Sequence, residues 1–322
     1  MRLGKLTNEQ LKELVLDKFC RTRNEVVAGS AVGEDCAALD LDGELCVLST
    51  DPITAATGNI GALAVHVCCN DAAACGAEPV GLLVTMLLPP ATTEEYISAL
   101  AAEISDAALY SGVDVLGGHT EITDAVNRPV ISAAVVAKVP RAGLITTSSM
   151  RAGDSIVMTK WAGLEGTAIL ASDHKEKLAD IWSDAEFEAA EALASHFSVT
   201  RESRIACAIG GVSAMHDATE GGVLGALWEM ADASNCGVEV NTKDIPVLPI
   251  TKKACRALSL DPLRLISSGV LLIATNKGET LCGALCAAGI PAAIIANVSE
   301  SGMSVNGRPL LPPDGDELLK LI

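Results

Sequence analysis

The sequence predicts an α/β (α+β) protein of two domains, an N-terminal mixed-sheet domain over residues 1–148 and a C-terminal α/β domain over 149–322. Three observations predict it. At 322 residues the chain exceeds the usual span of one hydrophobic core. Apolar runs of strand length alternate throughout with stretches of helix length. Hydrophobic residues make up 49% of the chain but aromatics only 2%, so the interior must be Ala, Val, Leu and Ile packed among 28 glycines, which suits helices layered on sheets.

The elements follow in order. Leu11, Leu14, Val15 and Phe19 recur at helical spacing, which with Thr7 or Asn8 as cap predicts a helix over 7–19. A glycine-bearing loop, 28–33, leads to short β-rich runs at 37–41 and 44–50. Pro52 is expected to end the second run and leave Asp51 at its mouth, because proline cannot donate to a ladder. Residues 59–75 read as a helix capped by Asn59 and stopped by Gly76 before Pro79, so Asn70 and Asp71 fall within a helix that is otherwise almost wholly apolar. Strand 80–88 is next, then a helix opened by a Thr92-x-x-Glu95 capping box and closed near Gly112. Strand 113–116 feeds a Gly117-Gly118 turn, strand 130–139 follows, and 140–153 is the linker. The second half runs strand 155–159, helices 163–173 and 184–197, and a helix 223–233 entered through Met215 to Gly222. Strand 237–241, helix 250–258, strand 270–275, helix 278–288 and strand 292–298 complete it.

A formal charge of −18, with 23 basic against 41 acidic residues, cannot make the broad positive field that nucleic acid or an anionic membrane requires. Eleven cysteines without CxxC spacing predict reduced, buried thiols in a cytoplasmic protein. The start lacks an apolar h-region and the longest apolar run, 80–88, stops at two prolines, so neither export nor a membrane span is expected.

Four acidic contexts carry the chemistry: Gly33-Glu34-Asp35-Cys36-Ala37, Ser49-Thr50-Asp51, Asn70-Asp71 and Gly117-Gly118-His119-Thr120-Glu121. No Lys or Arg stands within five residues of Asp35, Asp51 or Asp71. An ionised aspartate on a buried helix costs several kcal/mol unless it is paired, protonated or metal-bound, which singles out Asp71. Magnesium takes oxygen ligands, and Asp35, Asp51, Asp71 and Glu121 supply them; calcium shares that preference, but no EF-hand loop is present. Any one of these acids could instead simply cap a helix or close a turn. Glycine preceding Asp35 and Glu121 lets backbone amides approach an anion, although neither Gly29-x-x-x-Gly33 nor Gly117-Gly118 matches a Walker or dinucleotide fingerprint.

Other candidates carry two readings each. His119 is a general base or a donor to phosphate, or else a loop hydrogen-bonder. His66, one helical turn before Asn70, is expected to hydrogen-bond it. His216-Asp217, ahead of a Gly-Gly helix start, could hold a substrate phosphate through backbone amides, with Asp217 as a plain cap the alternative. Residues 160–167 could face a phosphate or form a simple strand-to-helix turn.

Taken in this order, the four contexts, with Ala72 to Pro79 after Asp71, resemble the motifs of the aminoimidazole ribonucleotide synthetase-like ATP-binding superfamily. That group includes purine-pathway synthetases, thiamine-monophosphate kinase, selenophosphate synthetase and the hydrogenase maturation protein HypE. Asp217-Ala218-Thr219-Glu220-Gly221-Gly222, with Glu229-Met230-Ala231 beyond it, is similar to the Asp-Pro-Thr-Arg-Gly-Gly segment of HypE proteins, so the resemblance spans almost the whole chain.

The resemblance implies a homodimer formed through the N-terminal sheets, with Mg-ATP near the dimer interface. It implies metal on Asp35, Asp51, Asp71 and Glu121, nucleotide near Gly33, Asn70, Gly117, Gly118, His119 and Thr120, and catalytic roles for His119 and Asp217. The implied activity is Mg-ATP-dependent phosphorylation or activation of a small acceptor, largely by positioning and charge neutralisation. A thiamine-monophosphate-kinase-like phosphotransferase, or a non-catalytic nucleotide-binding assembly protein that docks a maturation partner, are the alternatives. Two departures bear on the choice. The sequence finishes at Leu321-Ile322 rather than in the cysteine-ended tail of HypE, so cyanide-ligand synthesis by that route is not expected, and Glu220 stands where the motif has arginine. Cys20, followed by Arg21-Thr22-Arg23, lacks the glycine-lysine surroundings of a selenophosphate synthetase.

Overall fold

The computed structural model describes residues 7–14, 16–18, 24–29, 31–34, 36–41, 43–54, 56 and 58–321. After α1 (Asn8–Leu14), the N-terminal half forms a six-stranded sheet from β1 (Val26–Ala28), β2 (Ala37–Asp40), β3 (Leu45–Ile53), β4 (Glu78–Leu88), β5 (Asp114–Ile122) and β6 (Val130–Val139). Its order is β1-β2-β3-β6-β4-β5, and among these pairs only β4 with β5 is parallel. Buried residues alternate with half-buried ones along β3 and β6, as one covered and one open face require.

The covered face carries α2 (Ile60–Ala74) and α3 (Glu94–Ser111). Every residue of α2 except Ala62 is buried. A largely apolar helix buried on all sides must have neighbours on all sides, and α2 lies against β3, β6, β4 and α3 on one flank and against the second half of the chain on the other. Its first turn begins at Asn59 in the left-handed region (φ 53°) without a side-chain cap, and the Glu103 carboxylate of α3 instead accepts the Ala62 N–H at 2.9 Å. Helix α3 is capped by Thr93, one residue later than the expected capping box, and ends at Gly112 with φ 72°.

The second half builds a seven-stranded sheet from β7 (Ser155–Thr159), β8 (Val212–Ala218), β9 (Gly237–Val240), β10 (Val270–Thr275), β11 (Ala292–Ser299), β12 (Met303–Val305) and β13 (Arg308–Pro309), in the order β13-β12-β9-β11-β7-β10-β8. Its helices are α4 (Leu164–Asp173), α5 (Lys175–Leu178), α6 (Asp184–Glu191), α7 (Thr200–Ile209), α8 (Gly222–Ser234), α9 (Pro249–Leu258) and α10 (Gly278–Ala287). Because β10 is antiparallel to both β7 and β8, those two run parallel, and the turns that follow them open on one edge of the sheet beside the segment entering β10.

Several expectations are corrected. The first helix ends at Leu14 and a 3₁₀ turn follows over Leu16–Lys18; Val15 and Phe19 lie outside the described residues. Strand β3 runs through Asp51 and Pro52 to Ile53. Beyond Leu48 it has β6 on one side and no β2 on the other, so a residue lacking an N–H is accommodated there. Gly117 and Gly118 form no turn: β5 continues past them to Ile122, bulged at Leu116. Leu116 packs over Gly81, where a Cβ would come within 2.6 Å of its Cγ. The expected helix 184–197 is split into α6 and a 3₁₀ stretch, Ala192–His196, while α7 and β8 are elements the periodicity did not isolate.

Candidate functional site

The corner between α2 and β3 brings two of the predicted metal ligands together. Asp71, on the last turns of α2, is buried, and the Ser49 hydroxyl of β3 donates to its Oδ2 at 2.5 Å. Asp51, two residues along the same strand face, is half-buried. Between them Cys68 donates its thiol to Ala133 O at 3.1 Å. Burial, and after it the carboxylates of Asp71 and Asp51, raise the Cys68 thiol far above its ordinary range; burial and Asp71 push Cys69 up to about 12. Both thiols are therefore protonated at neutral pH and poor nucleophiles, and the corner's charged donors are hard oxygens. Asp35 lies outside the described residues.

Glu121 is not brought to this corner. Asp51, Ala133, Val84 and Gly118 share one rung of the sheet, and three strand spacings place β5 about 14 Å from β3. On alternating pleats Glu121 and His119 fall on the open face, opposite α2. Their side chains meet each other, Nε2 to Oε2, at 3.3 Å, and both are exposed. Among the described residues no group of three or more His, Cys, Asp or Glu side chains is close enough to hold a metal ion. All of β5, including Thr120, is exposed, and within the chain it is an edge strand with β4 as its partner. Gly117 and Gly118 both have φ 149°, and a Cβ on Gly118 would sit 1.8 Å from Val84 O, so that position admits glycine alone.

Gly33, with φ 80°, rests on α8, where a Cβ would contact Ala233 and the Glu229 carbonyl, and Glu34 accepts the Ser148 hydroxyl at 2.5 Å. Asn70 faces the second half of the chain: its Nδ2 donates to Phe197 O at 2.7 Å and its Oδ1 accepts the Val199 N–H at 2.8 Å. Both ends of its amide are thus committed to the protein. His66 bonds Ser111 Oγ at 3.3 Å rather than Asn70, and burial, with Lys160 nearby, lowers it to about 4, so it is neutral.

In the second half, Asp217 and His216 are buried at the end of β8, and His216 Nε2 meets Glu229 Oε2 of α8 at 3.1 Å. Gly221 and Gly222 take φ 81° and 64°, and a Cβ on Gly222 would lie 2.6 Å from Leu263 O. The Gly221 N–H, a candidate anion donor, is taken by Asp316 Oδ2 at 3.1 Å. Lys160 does not face a phosphate: its ammonium is buried on Glu202 (2.6 Å), Ser198 O (2.7 Å) and His196 O (2.9 Å). Within the 160–167 stretch the sequence reading did not single out Glu165, a buried carboxyl pushed up to about 7 by desolvation. Its only sequence signal is an acid flanked by Leu164 and Gly166 in the strand-to-helix turn after β7.

Comparison with known proteins gives a consistent result. The sequence profile of the N-terminal domain of AIR synthase related proteins matches residues 33–139, and that of their C-terminal domain matches residues 151–306. Carbamoyl dehydratase HypE of Escherichia coli (strain K12) is 31% identical over 283 residues, covering 83% of this chain and 81% of that protein. A crystal structure of hydrogenase maturation protein HypE in complex with ATP superposes with TM-score 0.72 at 24% identity, covering 99% of this chain and 98% of that one. A HypE–HypF complex structure gives TM-score 0.76 at 21% identity, covering 95% and 99%. At these identities the two structures establish a shared fold.

Proposed function

The chain belongs to the AIR synthase related protein family, and from that premise we propose that it is a cytoplasmic, homodimeric, Mg-ATP-dependent enzyme that phosphorylates or activates a small acceptor group. The observation that carries the reading is the Ser49–Asp51–Asp71 corner, where a buried carboxylate on a largely apolar helix stands beside a second acid and two protonated thiols. Negative charge gathered in a desolvated place favours a cation, and oxygen donors with thiols held neutral suit magnesium rather than a soft metal. Asp51 and Asp71, with Asp35, would hold the ion, which when bound neutralises phosphate charge.

The nucleotide in a HypE neighbour supports ATP as the second component. His119, Thr120, Glu121 and the glycine pair lie on an exposed edge strand apart from the corner, so in this reading they act where two copies meet, β5 against the partner's sheet. Val80, Leu83, Val115, Leu116 and Ile122 leave an apolar surface at the β4–β5 edge that such a dimer would cover. The HypE–HypF complex supports a maturation protein as a further partner.

Calorimetry of ATP binding with and without magnesium tests the reading. Asp71→Asn keeps the size and removes the charge; the expected result is a loss of magnesium-dependent affinity by tenfold or more. Equal magnesium-dependent affinity in the variant and the wild type would overturn the assignment.

A further inference from the structure

Asn70 stands where the buried acid of the α2–β3 corner and the second half of the chain meet. It is fully buried, and its side-chain amide works like one rung of a β-ladder, donating to Phe197 O at 2.7 Å and accepting the Val199 N–H at 2.8 Å. Three residues on, Ala73 O accepts the Ser203 hydroxyl at 2.6 Å. Residues three apart lie on one side of a helix, so Asn70 and Ala73 turn one flank of α2 towards the start of α7. Asp71 sits about 100° round the same turn, where Ser49 of β3 donates to it at 2.5 Å. One helical turn, 70–73, is thus held by β3 on one side and by α7 on the other.

The start of α7 borrows its order from α2. Its N-cap is Val199, whose side chain cannot accept a hydrogen bond. Asn70 satisfies the Val199 N–H instead, and Ser203, buried in the first turn, is committed to Ala73. Ala73 and Ala74 share an apolar cluster with Val199 and Ala206. Lys160 grips the same stretch from within the second half, through His196 O, Ser198 O and Glu202, and so gives it a hold independent of α2.

We propose that Asn70 is a positioning residue that locks the turn bearing Asp71 to the start of α7, so that a cation held by Asp71 and the docked segment 197–203 stabilise each other. This rests on the reading of Asp71 as a magnesium ligand. An ion shared between Asp71 and Asp51 would tie α2 to β3, and an opening of 197–203 that draws the 70–73 turn away from that corner must release it. By linkage the ion raises the cost of that opening, and the docked segment raises the affinity for the ion by the same factor. Asn70 serves the site through its neighbour and not by touching nucleotide, because both ends of its amide are already bonded to the chain.

Hydrogen exchange at the amides of residues 199 and 203 in the full chain, read with a non-hydrolysable ATP analogue in either EDTA or saturating magnesium, tests the link. Calorimetry on the same samples reports whether the ion binds. In the wild type magnesium should slow both amides on the order of tenfold, within the roughly 5–150-fold of coupled sites. In Asn70→Ala the ion should still bind while that slowing disappears. A merely structural Asn70 would speed exchange equally in both buffers and leave the magnesium ratio intact, which overturns the link. Ser203→Ala should shrink the ratio, and it decides the matter if Asn70→Ala does not fold, because Ala73 O still accepts the Gly76 N–H; an undiminished ratio there also overturns the link. Magnesium-dependent binding without slowing in the wild type overturns it and spares the magnesium reading, whereas no magnesium-dependent binding at all ends both.

Discussion

Lys160 anchors the 196–202 segment of the second half through a buried ion pair and two carbonyl groups. Lys160 is 3% exposed, and Glu202, Ser198 O and His196 O occupy the three donors of its ammonium. Glu202→Gln removes the compensating charge while leaving a hydrogen-bond acceptor in place. Breaking a buried ion pair from one side costs about 3–5 kcal/mol; the retained acceptor puts this variant near the lower end, about 3 kcal/mol. That is a large part of the roughly 5–15 kcal/mol of a folded protein, and for a chain of this size it corresponds to roughly 6–12 °C in melting temperature.

The sign of the pH dependence adds a check. Burial lowers the Lys160 pKa and Glu202 opposes that shift. With Glu202 neutral, the lysine sheds its proton at lower pH, and the variant should regain stability towards alkaline pH sooner than the wild type. The damage should also travel. Residues 196–199 are gripped by Lys160 on one side and Asn70 on the other, and Asn70 adjoins Asp71, so magnesium-dependent ATP affinity should weaken alongside. Urea unfolding measures the first effect and calorimetry the second. A loss below about 1 kcal/mol, the scale of a surface pair, would refute the reasoning. The double variant Lys160→Met, Glu202→Leu should recover most of the stability, because an apolar pair of similar volume carries no buried charge.

Two further outcomes follow from the geometry. Gly118→Ala should force β5 off β4, since its Cβ would stand 1.8 Å from Val84 O, whereas Gly117→Ala meets nothing within 4 Å. The first should cost several kcal/mol and the second only the roughly 1–3 kcal/mol of a strained φ, a contrast read by thermal unfolding of the two variants side by side. His66 is held neutral at about 4 by burial. A histidine whose folded pKa is depressed loses its stabilising contribution as pH falls from about 6.5 to about 4, by up to roughly 3 kcal/mol. His66→Gln should flatten that acid limb in a stability–pH profile, and an unchanged limb would show that another group titrates there.

Much of the fold was legible because it is local. The apolar run of 59–75 ended by Gly76, the β-rich run before Pro89-Pro90 and the helix closed at Gly112 each came within a residue or two of α2, β4 and α3, since periodicity and caps are read over a single turn or pleat. Asp71 was legible for a similar reason: a charge in an apolar helix is conspicuous without knowing its neighbours. Asp51 was misplaced to a strand mouth because Pro52 ends a strand only if a partner requires its N–H, and that depends on how far β2 extends. The glycine pair was misread as a turn because a bulge depends on Leu116 finding room over Gly81 in the neighbouring strand.

By itself the sequence determined the layered α/β class, the family and the acidic residue types that favour a hard cation, because these depend on composition and short-range order. Tertiary structure alone decided which acids meet. It put Asp51 with Asp71 and left Glu121 three strands away on the opposite face. It tied Asn70 to carbonyl and amide groups 127 and 129 residues distant and closed Asp316 over Gly221, 95 residues away. Such pairings arise when distant segments close on one another and shed water, and no window of local sequence encodes which segments those will be.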